Sequence, residues 1–461
     1  MGSRLSALLT EMQRTQWLPT AELRARGEAR LVPLLRHATQ NVPFYRELRD
    51  RLVLGSNDLN VRDHLRALPV VSKAFYRERG PEKFLAENIA AYRRIAKSTS
   101  GSTGEPFQFY LDRDAIPVIF ASHLFYDSWF GLSPFERCVR IMSPPAAVPV
   151  LMNDAPIRYR LRQALNRRLQ QLYEGWTQRK ISIWEMSGER AVDVWRCLEE
   201  MKPGYLMGYT SALANIADEL IKRNLPLTRR LRAVVTIAET LSPTRRRLIE
   251  QGFNAPIVNR YGLRELGSWS AQSCAESPEQ FHINTELVIC EILREDGSEA
   301  APGELGRVVL TDLWNYARPF IRYETGDLAF AIAGACKCGR GFPLLGQIEG
   351  RSLEYLHTPS GKLISPVVLG HFLFVYHDHL EAVKHYQLIQ DSSHQARLLV
   401  VPSAVWDEHR REKIRRDLSR LLGHDMIVSV ESVAEIPPEK SGKRPIIKST
   451  HHPASQNKTV N

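Results

Sequence analysis

The sequence predicts a two-domain α/β protein: a large N-terminal domain carrying a β-rich subdomain, then a small α+β domain. Three observations predict it. At 461 residues the chain exceeds what one hydrophobic core usually supports. After about residue 90, short β-branched runs alternate with helical patterns, the wiring of an α/β fold. From 287 to 330 the texture changes to successive strands, and past Gly350-Arg351 a fresh set of elements begins, leaving about 110 residues for a second domain.

Residues 1 to about 90 read as helices broken by turns. The first is amphipathic, with charges inside its apolar pattern, and so does not read as a signal peptide. Val42-Pro43-Phe44 and Leu68-Pro69-Val70-Val71 read as extended. Residues 233–237 form a strand by their β-branched content. Ser242 caps a helix with Pro243 at its first position, and 255–258 read as the next strand. In the β-rich part, 287–293 and 306–310 are strands around the turn Glu295-Asp296-Gly297. The domains are placed at 1–349 and 350–461, the second opening with a hairpin-like segment and ending in a polar tail.

Composition sets bounds on function. With 43% hydrophobic and 25% charged residues the chain is an ordinary globular protein. The excess of 62 Lys+Arg over 51 Asp+Glu gives +11. No RNA-recognition, zinc-finger or helix-turn-helix signature accompanies that charge, so nucleic acid is not an expected partner, and Arg-rich stretches such as 158–168 read as a solvated basic surface. No window is apolar enough for a membrane span, and the cytoplasm is the expected compartment. Six cysteines, with Cys336 and Cys338 one residue apart, point to a metal site rather than a disulfide framework. Cys138, Cys197 and Cys290 lie in apolar patterns and read as buried thiols.

The strongest local signal is Ser98-Thr99-Ser100-Gly101-Ser102-Thr103-Gly104-Glu105-Pro106 before a strand-like run. Glycines let the backbone approach a phosphate, and hydroxyl and amide groups donate to its oxygens. The Gly-Lys-Ser/Thr ending of a Walker A loop is missing, and by composition alone a flexible loop fits as well. Tyr261-Gly262-Leu263-Arg264-Glu265, Tyr323-Glu324-Thr325-Gly326-Asp327, Gly350-Arg351 and Ser441-Gly442-Lys443 follow in order. Together these segments resemble the core motifs of the adenylate-forming superfamily of acyl-CoA synthetases, adenylation domains and luciferases. Val42 to Arg46, Leu68 to Lys73 and Cys336-Lys337-Cys338-Gly339-Arg340 make the chain look like the phenylacetate-CoA ligase branch, over nearly its whole length.

The resemblance implies an adenylation domain with a small mobile lid domain carrying the catalytic lysine. It implies nucleotide binding by Ser100, Gly101, Ser102, Thr103, Gly104, Ala238, Glu239, Tyr261, Gly262, Arg264, Asp327 and Arg351. Asp327 would accept the ribose hydroxyls, Tyr261 would stack near adenine, Glu265 would hold Mg²⁺, and Lys443 would bridge the substrate carboxylate and the α-phosphate. Tyr205, Tyr209 and Trp269 match places that line the acyl pocket in relatives and suggest an aromatic or compact acid. Three thiolates and an imidazole, Cys274, His282, Cys336 and Cys338, suit structural zinc. Their spacing departs from Cys-x-x-Cys, so the residues alone leave the question even; similar members of the branch carry the same set.

The activity implied is ATP-dependent activation of a carboxylic acid to acyl-AMP, then transfer to a thiol, with coenzyme A the leading acceptor. An amide-forming ligase or a carrier-protein loader using the same acyl-AMP is the runner-up, and a basic zinc-containing interaction protein that has lost catalysis is a third reading, opposed by Glu265, Asp327 and Lys443. A homodimer is left open. Two departures bear on this. Arg264 stands where many relatives have Thr or Ser, more like the capsular-polysaccharide-biosynthesis members. Leu353 occupies the place of the hinge aspartate, which leaves lid rotation and the identity of the acceptor open.

Overall fold

The structure is a computed structural model. It describes residues 2–49, 61–98, 107–142, 156–182, 188–351, 356–360, 363–364, 369, 372–373, 377, 379, 382–437 and 444–449. The N-terminal helices are α1 (Gly2–Thr15), α2 (Thr20–Asn41), α3 (Pro43–Arg46), α4 (Val61–Ala67) and α5 (Lys73–Arg79). An antiparallel pair follows, β1 (Arg94–Ser98) and β2 (Gln108–Asp112). Of the expected extended run at Val42-Pro43-Phe44, only Val42 is extended (φ −111°, ψ 118°), and Pro43 opens α3. The reason is local: proline forces its predecessor out of the helical region, and its own fixed φ suits a helix's first turn.

Next come α6 (Ile116–Ser128), β3 (Cys138–Met142), α7 (Ile157–Thr177), β4 (Gln178–Ser182), α8 (Gly188–Met201), β5 (Tyr205–Tyr209), α9 (Thr210–Lys222), β6 (Ala233–Ile237), α10 (Pro243–Phe253) and β7 (Ile257–Gly262). β4, β3, β5, β6 and β7 pair in parallel, in that order. All five residues of β6, Ala-Val-Val-Thr-Ile, are buried, as a strand covered on both faces requires. One face packs on α8, α9 and α10 through Val194, Leu213, Ile216 and Ile249, and the other carries Tyr205, Met207, Val235 and Val258. As expected, Ser242 caps α10, accepting from the Arg245 backbone N–H, with Pro243 at the first position. The next strand starts at Ile257 rather than 255.

From β7 the sheet continues antiparallel through β8 (Trp269–Cys274), β9 (Ser277–Ile283), β10 (Val288–Leu293), β11 (Leu305–Asp312), β12 (Tyr323–Ala331) and β13 (Leu344–Arg351). The full order is β10-β11-β12-β13-β9-β8-β7-β6-β5-β3-β4. The remaining elements are a hairpin, β14 (Leu356–His357) and β15 (Leu363–Ile364), then β16 (Val383–Ser392), β17 (Gln395–Pro402), α11 (Glu408–Leu422), β18 (Ile427–Ser432) and β19 (Ile447–Ser449). β18-β17-β16-β19 form a second sheet, and Leu356, Ile364, Leu388, Leu398, Ile414, Leu418 and Ile447 pack as a core of their own. Cys138 is buried as expected, but Cys197 and Cys290 are only half-buried.

Candidate functional site

The parallel strands end on one edge of the sheet, where doubly wound folds place their ligands. Ala238 follows β6, Tyr261 and Gly262 end β7, and Tyr209 ends β5. Ala238 has φ +66°, a left-handed conformation that costs a residue with a Cβ about 1 kcal/mol or more. Glu239 is thereby turned onto the N-terminus of α9. Its carboxylate accepts from the Ser211 backbone N–H at 2.6 Å and the Ser211 hydroxyl at 3.0 Å, as a helix start favours. It also accepts from the backbone N–H of Arg444 at 3.0 Å, while the Arg245 guanidinium donates to the Arg444 carbonyl at 2.7 Å. The residue after Lys443 is therefore clamped onto the segment that begins at Ala238. Lys443 itself lies outside the described residues, as do Ser100, Gly101, Ser102, Thr103, Gly104 and Leu353.

Across the sheet, the Tyr261 hydroxyl donates to Asp327 Oδ2 at 2.7 Å. Asp327 is buried on β12 behind Gly326, whose φ of +81° only glycine adopts at low cost. Burial, and then the Asp327 charge, hold the Tyr261 phenol well above its usual range, so it stays a donor. Asp327 stands opposite Arg351 in the β12–β13 register, which brings two of the expected nucleotide residues side by side on the backbone. The Tyr261 ring meets Phe281 edge-on at 6.5 Å. Its hydroxyl contact to Asp327 is a role the sequence did not suggest.

Glu265 is buried, contrary to what a residue starting a solvated helix would be. Its Oε1 takes an ion pair from Lys73 Nζ at 2.7 Å and a hydrogen bond from the Tyr323 hydroxyl at 3.1 Å. Lys73 is delivered by the extended run before α5, where Val71 bridges in parallel to Tyr323. At the end of β1, burial and the neighbouring Arg264 hold the Lys97 ammonium below its usual range. Lys73, Lys97 and exposed Arg264 thus gather positive charge around Glu265, a setting for a polyanion. Sequence reasoning gave no role to Lys73, Lys97 or Tyr323; the basic residues flanking the motifs were the available signal.

The three residues expected at the acyl pocket do converge. Tyr205, Met207 and Tyr209 alternate along one face of β5 and pack with Trp269, Met142 and Ile237. His123 of α6 tilts against Trp269 at 5.7 Å. Burial first, then Arg140 and Arg260, push its imidazole down to about 3, so it is neutral. Beneath Trp269, Arg260 pairs with Asp127 at 2.6 Å.

Cys274, His282, Cys336 and Cys338 also come together, their ligand atoms all within 4.8 Å of one another. Gln272 faces His282 across β8 and β9, and Leu344 of β13 faces it on the other side, so the strand register builds half the set. Cys274 Sγ lies 3.6 Å from Cys336 Sγ and 3.3 Å from His282 Nε2, and Cys338 Sγ lies 3.6 Å from that nitrogen. Tetrahedral Zn–S bonds of about 2.3 Å would set sulfurs about 3.8 Å apart, so the donor set fits. Burial, then Arg340, push His282 down to about 4, leaving the neutral imidazole a metal needs. Its Nδ1 is buried without a partner among the described residues, a departure from the usual supported ligand histidine.

Residues 356–450 match the CapK C-terminal domain. The chain is 26% identical to the phenylacetate-coenzyme A ligase of Thermus thermophilus, over 92% of this chain and 96% of that protein. It is 21% identical to Protein CapK of Staphylococcus aureus, over 88% and 84% respectively. A solved 2-hydroxyisobutyryl-CoA ligase, in the postadenylation state with R3-HIB-AMP, superposes with a TM-score of 0.76 at 18% identity, over 95% of this chain and 91% of that one.

Proposed function

We propose that this chain, a homologue of the phenylacetate-coenzyme A ligases with the fold of the adenylate-forming CoA ligases, activates a carboxylic acid with ATP and passes the acyl group to coenzyme A. The observation that carries the reading is the Tyr261–Asp327 contact beside the Lys73–Glu265–Tyr323 cluster, at the carboxyl ends of the parallel strands. In the first step a carboxylate oxygen attacks the α-phosphorus and pyrophosphate leaves, giving acyl-AMP. In the second the thiol sulfur attacks the acyl carbon and AMP leaves. Replacing a poor leaving group by AMP is the gain of the two-step route.

Asp327 would accept the ribose hydroxyls, with Tyr261 holding its carboxylate in place. Ala238, Glu239 and Gly262 would line the base, and Arg264 with Lys97 would meet the phosphates. Magnesium, held through Glu265, would neutralise charge on the triphosphate, since that ion is typically bound by one or two carboxylates plus phosphate oxygens. Lys443 would reach the nucleotide from the second domain, which we place at 350–461, and the clamp on Arg444 supports delivery of Lys443 to this edge; Arg351 would meet the nucleotide from the end of β13, opposite Asp327. Tyr205, Tyr209 and Trp269, with neutral His123, suit an aromatic or other compact acid. The Cys274, His282, Cys336 and Cys338 set would hold a structural zinc that ties β8 and β9 to the segment after β12.

ATP–pyrophosphate exchange over a panel of aryl, amino and short aliphatic acids tests the proposal. Exchange with at least one acid, lost in Asp327→Ala and Glu265→Ala, is expected. Exchange that survives both substitutions would overturn the site.

A further inference from the structure

We propose that the outward face of α7 docks on an anionic lipid surface, with the protein lying on the bilayer rather than crossing it. Ile157, Leu161, Leu165, Leu169, Leu172 and Trp176 are each more than half exposed, the least being Leu169 at 55%. Their spacing of three or four residues puts them on one side of the helix. The opposite side makes the contacts with the body. Thr177 is buried, the Tyr173 hydroxyl bonds to the Pro134 carbonyl, and the Tyr173 ring meets Phe120 edge-on at 6.0 Å. A helix serving only as a sheet crossover would turn its apolar side inward; this one turns it out. Phe135, 63% exposed, lies 6.2 Å from the Trp176 ring and lengthens the stripe.

The charge on α7 selects the partner. Its sequence, IRYRLRQALNRRLQQLYEGWT, holds five Arg and one Glu, and that Glu174 is taken by Lys180 at 2.6 Å. At 100° per residue, exposed Arg158 and Arg168 fall inside the arc of the apolar stripe. Two copies packed stripe to stripe would bring like charges together in a seam to which the helices contribute no free carboxylate. A bilayer with anionic headgroups instead receives the Leu, Ile and Trp side chains in its outer acyl region, while each guanidinium reaches a phosphate on its flexible stem. No helix among the described residues is long and apolar enough to cross a membrane. β4, which follows α7, is the last strand of the sheet, so this face lies apart from the nucleotide edge near β6, β7 and β12.

The test is flotation of the full chain with vesicles of phosphatidylglycerol and phosphatidylcholine in equal amounts, against phosphatidylcholine alone, at low and high salt. Wild type is expected to float with the anionic vesicles only, and less at high salt. Arg158→Ser with Arg168→Ser should lower partitioning roughly 30-fold, from the usual contribution of a basic residue at such a surface. Leu165→Asp with Leu169→Asp should abolish it, and an unchanged melting temperature shows that this exposed pair leaves the fold intact. Wild type that stays with the soluble fraction at low salt, or an Asp variant that floats like wild type, overturns the proposal. So does a wild-type dimer that the Asp variant turns into a monomer, since the stripe would then be a seam between copies.

Discussion

Lys73→Met removes the cation from a buried carboxylate while keeping most of the side-chain volume. The side chain of Glu265 is 4% exposed and that of Lys73 30% exposed, with 2.7 Å between them. Stripping one partner from a fully buried pair costs about 3 to 5 kcal/mol, and exposed pairs contribute about 0 to 1 kcal/mol. With one partner buried and the other a third exposed, a loss of about 2 to 3 kcal/mol follows, between those limits. The measurement is the urea midpoint at constant slope, in a cycle with Glu265→Gln. Glu265→Gln alone should be the milder change, because the amide still accepts from the Tyr323 hydroxyl. The double variant should be more stable than the two single losses predict, by about 1 kcal/mol or more. A coupling indistinguishable from zero would refute the claim that Lys73 is what makes a carboxylate tolerable at this place. The same substitution is expected to slow pyrophosphate exchange by about tenfold or more, through the loss of a positive charge beside the carboxylate proposed to hold magnesium.

Three further outcomes are expected. Burial pushes the Asp312 carboxyl up to about 7 from 3.8, so the folded protein holds a proton that the unfolded chain releases. Its contribution to stability is therefore complete below about pH 4 and lost as pH rises towards 7, roughly 4 kcal/mol in all; Asp312→Asn should flatten that part of the stability profile, and an unaltered profile would count against it. Cys336→Ser with Cys338→Ser should lower the melting temperature and abolish bound zinc in elemental analysis, and full stability without metal would remove the structural role. Tyr261→Phe deprives buried Asp327 of its phenolic donor, which should destabilise by about 1 kcal/mol and raise KM for ATP more than it lowers kcat; an unchanged KM would separate Tyr261 from the nucleotide.

The parts legible in the sequence are those governed by short-range rules. β6 declares itself by its β-branched run, and α10 by the Ser242-Pro243 start. The Cys/His set was legible as residues, and its convergence follows from the β8–β9 hairpin, which places Cys274 and His282 near one another. Contacts set by tertiary packing were not legible. Lys73 at a helix start looks like any solvated lysine until the Val71–Tyr323 bridge carries it to Glu265. Glu239 reads in the sequence as one of the nucleotide-binding residues, yet its carboxylate holds the start of α9 and the Arg444 backbone, because Ala238 takes a left-handed turn that no local preference for alanine suggests. In 157–177 the arginines drew attention as a solvated basic surface, and the outward direction of the leucines depended on which side of α7 meets the body.

The central claim is that the carboxylate of the acid attacks the α-phosphorus of ATP. With the acid that supports the fastest exchange, prepared with ¹⁸O in its carboxyl group, the reaction is run with coenzyme A and the products are weighed by mass spectrometry. The account predicts one ¹⁸O in AMP, none in pyrophosphate, and an acyl-CoA product. Label in inorganic phosphate with ADP as co-product would mean attack at the γ-phosphorus, and unlabelled AMP would mean simple hydrolysis; either result would contradict the account.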